Sequence, residues 1–537
     1  MAPSSDSGHV HNSDSASIKP QSPRHTAIGV VAFRSASHAS GPDAFPAGHS
    51  DSTPTHGGHH EDHDDMYKRL SRARKHIIVT VCAFCAFLAP MSSTSVLAAT
   101  PEVASEFHTT GAVINASNAV YMFFMGLSPI FWGPISEVWG RRPVLIGTAG
   151  LFLLLSVATA LTPNLVAFFI FRAASAFEGT TFILLGAACI GDIYHPTERG
   201  TAIGWFLSGT LIGPALGPFI GGIIVTYSSW RTIFWLQAGL AGLGFLGLVF
   251  LVPETIHHKA ISDLTNCSRR ERRRAVLHMI NPIRPLALFR YLNQFLVAFG
   301  SSALVWNMYS LLTPIRYVLN PRFHLESPLL SGLFYLAPGC GYLVGTLMGG
   351  RWADRTVRVW IDKRGGVRVP EDRLRSAVPF MGLLMPASVL IYGWSVDRAV
   401  GGIPVPVIFL FVQGVGQLFC FPSLNTYCLD VMPGRGAHVT AANYFFRYLA
   451  GCLGTAVVLP AVQAMGVGWF ETLSAALLFV AALGIVATIR WGEGWRRRID
   501  GRLDKSPVAT GVEGEESMEQ GQPQEVAEKK SAGSVEA

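Results

Sequence analysis

Charged side chains are scarce in this chain, and their scarcity excludes an ordinary soluble domain. Only 14% of the 537 residues are Asp, Glu, Lys or Arg, whereas soluble domains average about a quarter. Hydrophobic residues make up 50% of the chain, and they are concentrated in repeated runs of about 20 residues, each long enough to cross a bilayer. The composition therefore predicts an all-α membrane protein that lies in a lipid bilayer.

Other absences narrow the function. The chain begins with polar, low-complexity sequence, so no signal peptide is visible. The apolar runs hold no His-rich box, nucleophile elbow or metal-ligand set, so we predict no enzyme, no cofactor and no metal site. Cys82 and Cys85 have the spacing of a metal or redox pair, but no second pair accompanies them, so we interpret them as packing residues. The net charge of +7 lies between the apolar runs, which indicates topology rather than a nucleic-acid partner.

Twelve apolar spans divide the chain into two groups of six. We predict these spans at 77–99, 113–135, 143–161, 164–190, 200–226, 232–252, 293–319, 329–350, 377–396, 402–428, 439–464 and 468–490. The predicted segments are a disordered tail at 1–75, a six-helix bundle at 76–254, a polar loop at 255–291, a second six-helix bundle at 292–491 and a disordered tail at 492–537. Even-numbered loops carry most of the Arg and Lys, so the positive-inside rule places both tails and the central loop in the cytoplasm.

A short charged turn from Gly133 to Arg142 separates the second and third spans. Gly133 predicts close packing of two helices, and Glu137 lies four residues on, on the same helical side. Gly140 is expected to end the helix, and Arg141 and Arg142 place positive charge at the water edge.

A weaker copy of this turn, Gly350 to Arg355, follows the eighth span. Asp354 stands four residues after Gly350, and Arg355 comes directly behind it. Two copies of one charged turn predict an internally duplicated membrane protein.

The fifth span has glycines at every fourth position. Gly209, Gly213, Gly217 and Gly221 form one smooth helix face that allows a neighbouring backbone to approach closely. Pro214, the residue after Gly213, removes a backbone donor and bends the helix.

These motifs resemble those of the major facilitator superfamily. The Gly133–Arg142 segment is similar to the family signature, with Glu137 in place of the usual Asp, and the Gly-x-x-x-Gly-Pro-x-x-Gly-Gly pattern of span five resembles the antiporter signature of the drug-exporting branch. The resemblance covers residues 76–495. It implies the major facilitator fold, in which twelve transmembrane helices form two pseudo-symmetric six-helix bundles that rock between two states.

The resemblance also implies roles for ionic residues. An acid and a base of the charged turn would form a cytoplasmic latch, and Asp192 either joins it or caps a helix. Arg172 matches the position associated with proton coupling, and Glu178 is a second titratable group within the fourth span. Both ions could equally be structural. Asn443 and Arg447 share one face of the eleventh span, as in fungal drug:proton antiporters, and for Arg447 we favour a gate or a structural pair.

A substrate cavity is expected near the midplane, between the halves. Its candidates are amide and aromatic residues of spans 2, 7, 8, 10 and 11: Asn115, Asn118, Trp306, Asn307, Tyr309, Tyr335, Tyr342, Gln413, Gln417 and Asn443. Such a lining suits a large, mostly apolar guest with a few polar groups.

We therefore expect a monomeric plasma-membrane transporter that exports a drug or secondary metabolite in exchange for a proton. Export of a small organic acid or a polyamine is the alternative within transport, and a transporter-like nutrient receptor is a less favoured class. A carboxylate exporter should need a basic cavity, and Arg172 and Arg447 leave that open.

Overall fold

The computed structural model describes residues 70–194, 199–256, 283–325, 327–432 and 436–503, together with residues 259, 268, 270, 274 and 276. The predicted first tail lies almost entirely outside these residues, as does most of the central loop. Within the described residues, twelve helical segments are long and apolar enough to cross a membrane, and all regular structure is helical. The predicted fold class is confirmed.

The spans, numbered 1 to 12 in chain order, agree with the apolar runs. Those of the first half are Arg72–Ser95 with Val96–Ala99 and Thr100–Glu106, then Gly111–Trp139, Arg141–Ala160, Leu165–Gly179 with Thr181–Ile193, Arg199–Tyr227, and Arg231–Leu251. Those of the second half are Leu292–Leu312, Pro328–Phe334 with Leu336–Lys363, Pro370–Ser376 with Phe380–Leu384 and Met385–Arg398, then Pro404–Val431, Gly436–Met465, and Val467–Leu503. Short helices Ile283–Leu286, Ala287–Arg290 and Ile315–Phe323 flank span 7.

Local sequence explains several helix ends. Ser71 and Asn164 accept hydrogen bonds from the backbone amides of Arg74 and Ala167, which caps spans 1 and 4. Gly140 has φ +106°, a conformation that side chains disfavour. Span 2 therefore ends where the sequence predicts, and span 3 begins one residue later.

The second charged segment is not a turn. Gly350 to Arg355 lie inside the continuous helix Leu336–Lys363, which corrects the expectation of two equivalent turns. The physical reason is that the position matching Gly140 is Val357, which does not break a helix. Likewise, the helix of span 12 continues to Leu503 through part of the segment predicted as a tail.

The two halves meet along two pairs of spans. Span 2 packs on span 11, and span 5 packs on span 8. At Gly126 of span 2, an added Cβ would lie 3.1 Å from the Cβ of Tyr448 in span 11. At Gly339 of span 8, an added Cβ would overlap Ala215 of span 5. These small residues bring the backbones of the halves close enough to enclose a central space.

Large apolar side chains cover the outside of the helices. Leu154, Val166 and Phe250 are 65%, 68% and 77% exposed. Exposed apolar side chains on helices of this length are typical of a surface that faces lipid.

Candidate functional site

A cavity lies between the two halves. Its walls come from spans 1, 4 and 5 of the first half and from spans 7, 8, 10 and 11 of the second, and it contains about 600 Å³ of space free of protein atoms, part of it continuous with solvent. The lining residues are Pro90, Ile183, Thr210, Leu211, Pro214, Val305, Met308, Tyr309, Tyr342, Gln417, Leu418, Phe421, Tyr444, Arg447 and Tyr448. Apolar and aromatic walls with a few polar groups suit an organic guest.

Three of the ten predicted cavity residues line this space: Tyr309, Tyr342 and Gln417. Gln413 lies behind Gln417, because its amide nitrogen donates to Gln417 Oε1 at 2.9 Å and to Asn307 Oδ1 at 3.0 Å. The amide nitrogen of Gln417 in turn contacts Met308 Sδ at 3.3 Å. This network fixes the orientation of the one amide that reaches the cavity.

Four of the other predicted cavity residues, Trp306, Asn443, Asn115 and Tyr335, lie outside the cavity lining. Trp306 donates from Nε1 to Ser474 Oγ, and Asn443 donates to Asn425 Oδ1 at 3.5 Å. Asn115 and Tyr335 are buried, and within the described part of the chain the Asn115 amide and the Tyr335 hydroxyl have no hydrogen-bond partner.

Arg172 is enclosed within the first half. It is 1% exposed and donates from Nη2 to Asn118 Oδ1 at 2.6 Å. Its guanidinium carbon lies 4.9 Å from the ring centre of Tyr121 and 5.5 Å from that of Phe168. Among the described residues no acid lies within 4 Å of Arg172, and it does not line the cavity. The arginine is stabilised by an amide and by aromatic faces rather than by an ion pair.

Glu178 is also buried, at 8% exposure, on the same span. Its Oε2 atom has no hydrogen-bond partner among the residues that the structure describes. Glu178 and Arg172 do not pair, which agrees with their separation around the helix.

The charged turn of the first half forms a compact ionic cluster. Arg141 Nε lies 3.5 Å from Asp192 Oδ2, and Arg141 Nη1 donates to Ser136 Oγ at 2.5 Å. The backbone amide of Arg141 donates to Glu254 Oε1 at 2.9 Å, and that of Arg142 donates to the same oxygen at 3.3 Å. Glu254 follows span 6, so the cluster joins spans 2, 3, 4 and 6.

Gly133 and Glu137 also belong to the charged turn, but they do not pair with Arg141. Gly133 packs on Leu184 of span 4, where an added Cβ would approach to 3.3 Å. Glu137 has no basic side chain within 4 Å in the described part of the chain, so Asp192 and Glu254 supply the acids that Arg141 meets.

Glu254 lies outside the spans and carries a perturbed pKa. Partial burial alone would raise the pKa of this carboxyl, but the ammonium of Lys259, 3.1 Å away, and the amides of Arg142 and Arg141 outweigh it. The pKa of Glu254 therefore lies below its ordinary value of 4.5, and the group stays ionised at neutral pH.

The second half holds an equivalent ionic cluster, built from other residues than those predicted. Asp354 and Arg355 are exposed, and within the described residues neither forms an ion pair. Instead, Asp430 at the end of span 10 pairs with Arg373 and Arg368, at 3.6 and 3.5 Å. This arrangement parallels the pairing of Asp192 with Arg141 at the end of span 4.

At the opposite end of the molecule, Arg316 joins the two halves. Arg316 follows span 7 in the second half, and its guanidinium forms an ion pair with Glu102 and donates to the carbonyl oxygen of Ala98, both in span 1 of the first half. We call these contacts the Arg316 tie. Sequence reasoning missed this tie, because nothing local indicates that residues 214 positions apart meet.

The fifth-span glycines all face span 1. An added Cβ would overlap the Ala83 carbonyl at Gly209, and it would lie 2.8 Å from Pro90 Cβ at Gly213. At Gly217 it would lie 2.7 Å from Met91 O, and at Gly221 2.5 Å from Ser95 O. The expected smooth face therefore packs span 5 against the span 1 backbone inside one half.

One further acid was missed. Glu471 lies near the start of span 12, is 1% exposed, and packs against Gly393 of span 9. Its Oε2 atom has no hydrogen-bond partner among the described residues. The sequence did carry a signal for this residue, because an acidic side chain inside an apolar run is rare and indicates a functional site.

Two bundles of six helices that enclose a shared cavity define a multi-pass membrane transporter rather than an enzyme. The chain belongs to the Major Facilitator Superfamily, whose family profile matches residues 82–455 and so extends through both halves.

Curated relatives agree with this membership. The chain is 28% identical over 471 residues to citrate exporter 1 of Aspergillus niger, with 81% of this chain and 89% of the relative covered. It is 22% identical to the MFS antiporter QDR3 of Candida albicans, with 79% of each covered. Among solved structures, the human organic anion transporter MFSD10 matches with a TM-score of 0.57 at 17% identity, covering 76% of this chain and 99% of that one. That last likeness concerns the fold alone. The two curated relatives thus match about four fifths of this chain.

Proposed function

We propose that this protein exports small organic molecules in exchange for protons by alternating access. The observation that carries the proposal is the cavity walled by both halves, because rocking of the halves about the span 2–11 and span 5–8 contacts would expose it to each side in turn. Relatives named as an exporter and an antiporter support the direction and the coupling.

The proton is assigned to buried acids of the helices. Glu178 is buried on the same span as Arg172, and its Oε2 atom, which has no partner among the described residues, can accept a proton. Arg172, held by Asn118, supplies a fixed positive charge in the same half. In this proposal a change in protonation alters the electrostatic energy of that half and so biases the rocking equilibrium.

The ionic clusters act as latches at one end of the molecule. In the first half the cluster comprises Arg141, Asp192 and Glu254, and Glu137 is a further acid of the same charged turn. In the second half it comprises Arg373 and Asp430. The Arg316 tie holds the other end, so the two ends would open alternately.

Topology follows from the basic residues. We propose that the end carrying the ionic clusters faces the cytoplasm, with both tails, and that the Arg316 tie lies outside. A single chain holds both walls of the cavity, so a monomer in the plasma membrane suffices for this function.

The test is efflux from vesicles that contain the full chain, loaded with dyes, drugs and organic acids, with and without a proton gradient. We expect gradient-dependent efflux that is lost in Glu178→Gln and Arg172→Ala. Arg497→Ala is the matched control, because Arg497 is exposed and, within the described part of the chain, its ion pair is with Glu493 on its own helix. Efflux at the same rate with and without the proton gradient would contradict proton coupling. Absence of flux for every compound would favour the nutrient receptor.

A further inference from the structure

We propose that the cavity is an anion site in which Arg447 binds a carboxylate of the transported compound. The inference rests on the proposed export function and names its substrate class. It concerns an arginine for which the sequence indicated a gate or a structural pair.

The charge of the cavity carries the argument. Of its fifteen lining residues, Arg447 is the one with a full charge, and none is Asp or Glu. A guest in this space therefore meets a positive potential with no compensating acid in the walls. A polyamine or a cationic drug would be repelled, whereas an anion would be attracted.

Arg447 is positioned but not neutralised. Its guanidinium carbon lies 4.4 Å from the ring centre of Phe421 and 5.0 Å from that of Tyr444. These two rings hold the planar group by its faces, which leaves its edge free for a ligand. Among the described residues no acid lies within 4 Å of Arg447, and its Nε atom is buried without a hydrogen-bond partner.

Burial of Arg447 Nε without a partner is unfavourable, because this atom has left water without gaining an acceptor. A carboxylate removes this cost, and its two oxygens match the parallel N–H groups of arginine. The walls thus supply a cationic group with no acid beside it among the described residues, and in this proposal the substrate supplies the anion.

Neighbouring polar groups fit the same ligand. Tyr309, Tyr448 and Gln417 line the cavity with Arg447, and their hydroxyl and amide groups can donate to further oxygens of an acid. Apart from the hydroxyl-bearing Thr210, Tyr342 and Tyr444, the remaining lining residues are apolar, so the favoured guest is an organic acid with a hydrophobic or aliphatic body.

Arg172 does not compete for this role. It is 1% exposed, hydrogen-bonded to Asn118 and outside the cavity lining. A substrate that enters the cavity therefore reaches Arg447 without meeting Arg172.

The test compares matched acids and amides in proteoliposomes that contain the full chain under a proton gradient. The probes are hippurate and its uncharged amide hippuramide, together with citrate and spermidine. For the wild type we expect efflux of hippurate or citrate at least tenfold faster than efflux of hippuramide, and no efflux of spermidine. Arg447→Gln should lose the acid preference while hippuramide efflux persists, and Arg447→Lys should keep part of the preference because it keeps the charge.

Other results would overturn the inference. Equal wild-type efflux of hippurate and hippuramide, or export of spermidine, would show that the cavity does not select anions. An equal loss of acid and amide efflux in Arg447→Gln, with Arg447→Lys behaving in the same way, would assign the arginine a structural role. If Arg447→Gln fails to reach the membrane, the inference is decided by two other results. These are the ratio of hippurate to hippuramide efflux in the wild type and the same ratio in Arg447→Lys. Absence of efflux for every probe would refute the export function itself, whereas efflux of the amide or spermidine alone would refute only the anion site.

Discussion

Packing of span 5 on span 1 makes a quantitative prediction for the smallest substitution, Gly217→Ala. The added Cβ would lie 2.7 Å from Met91 O, whereas ordinary contact begins at 3.4 Å. The helices must therefore separate by about 0.7 Å, the difference between those two distances. Because Met91 O is a backbone atom, no side-chain rotation relieves the clash. Gly204→Ala is the matched control, since an added Cβ there meets nothing within 4 Å on the same helix.

The expected magnitude follows from two opposing terms. Both substitutions gain about 1 kcal/mol of helix propensity. Only Gly217→Ala adds the cost of overpacking, about 1–3 kcal/mol. The propensity terms cancel between the variants, so their difference in stability measures the packing cost. If one transport state needs the close approach more than the other, that cost corresponds to about a 5- to 150-fold shift in the equilibrium between states.

Two measurements check this reasoning. Thermal unfolding of the purified proteins should give a lower midpoint for Gly217→Ala than for Gly204→Ala, and gradient-driven efflux should fall in the same order. The larger change Gly213→Val should abolish efflux while the chain still inserts, because Pro90 Cβ and Met91 N lie 2.8 and 3.0 Å from the position of an added Cβ. Equal stability and efflux for Gly217→Ala and Gly204→Ala would refute the role assigned to this helix face.

Three further predictions concern ionic groups. Arg316→Glu should lower efflux by about tenfold by placing two acids together at the Arg316 tie, and adding Glu102→Arg should restore it; failure of the double variant to recover would contradict the tie. Glu254→Gln should lower thermal stability by about 1 kcal/mol at neutral pH. Because the folded pKa of Glu254 lies below 4.5, its stabilisation is fully present above that pH and is lost as pH falls through the folded value, so the two melting curves should converge in acid, and a constant gap would be inconsistent with this origin. Glu471→Gln should leave efflux dependent on the proton gradient if Glu178 carries the proton. Loss of that dependence would assign the proton-carrying role to Glu471 in span 12.

The spans were predictable because the length of an apolar run is a local property. Each run of about 20 residues dictates one crossing whatever its neighbours are. Helix breaks were predictable for the same reason where a glycine adopts positive φ, as at Gly140. The second charged segment shows the limit, since its resemblance in residue spacing hid the replacement of that glycine by Val357.

The cavity was only partly predictable. Lining a space depends on the rotation of each helix and on which helices face each other, and neither is encoded within one span. Gln417 reaches the cavity while Gln413, one turn earlier, is used to orient it. Asn118, a candidate for contact with a guest, accepts a hydrogen bond from Arg172 and lies outside the cavity lining. Arg447, for which a gate or a structural pair was favoured over direct substrate contact, lies in the cavity lining.

The ends of spans 2 and 8 differ in a way that has a mechanical consequence. In the first half the single residue Gly140 connects span 2 to Arg141, so a displacement of span 2 is transmitted to the Arg141–Asp192 pair almost without slack. In the second half span 8 runs to Lys363, and residues 364–369 form a tether before the short helix that carries Arg373. Arg364, directly after span 8, pairs with Asp372 of that short helix at 2.9 Å, and Trp352 Nε1 of span 8 donates to the carbonyl oxygen of Ser376 at 3.2 Å. The first half therefore couples span 2 to its ionic cluster through the backbone, whereas the second half couples span 8 to its cluster through side-chain contacts.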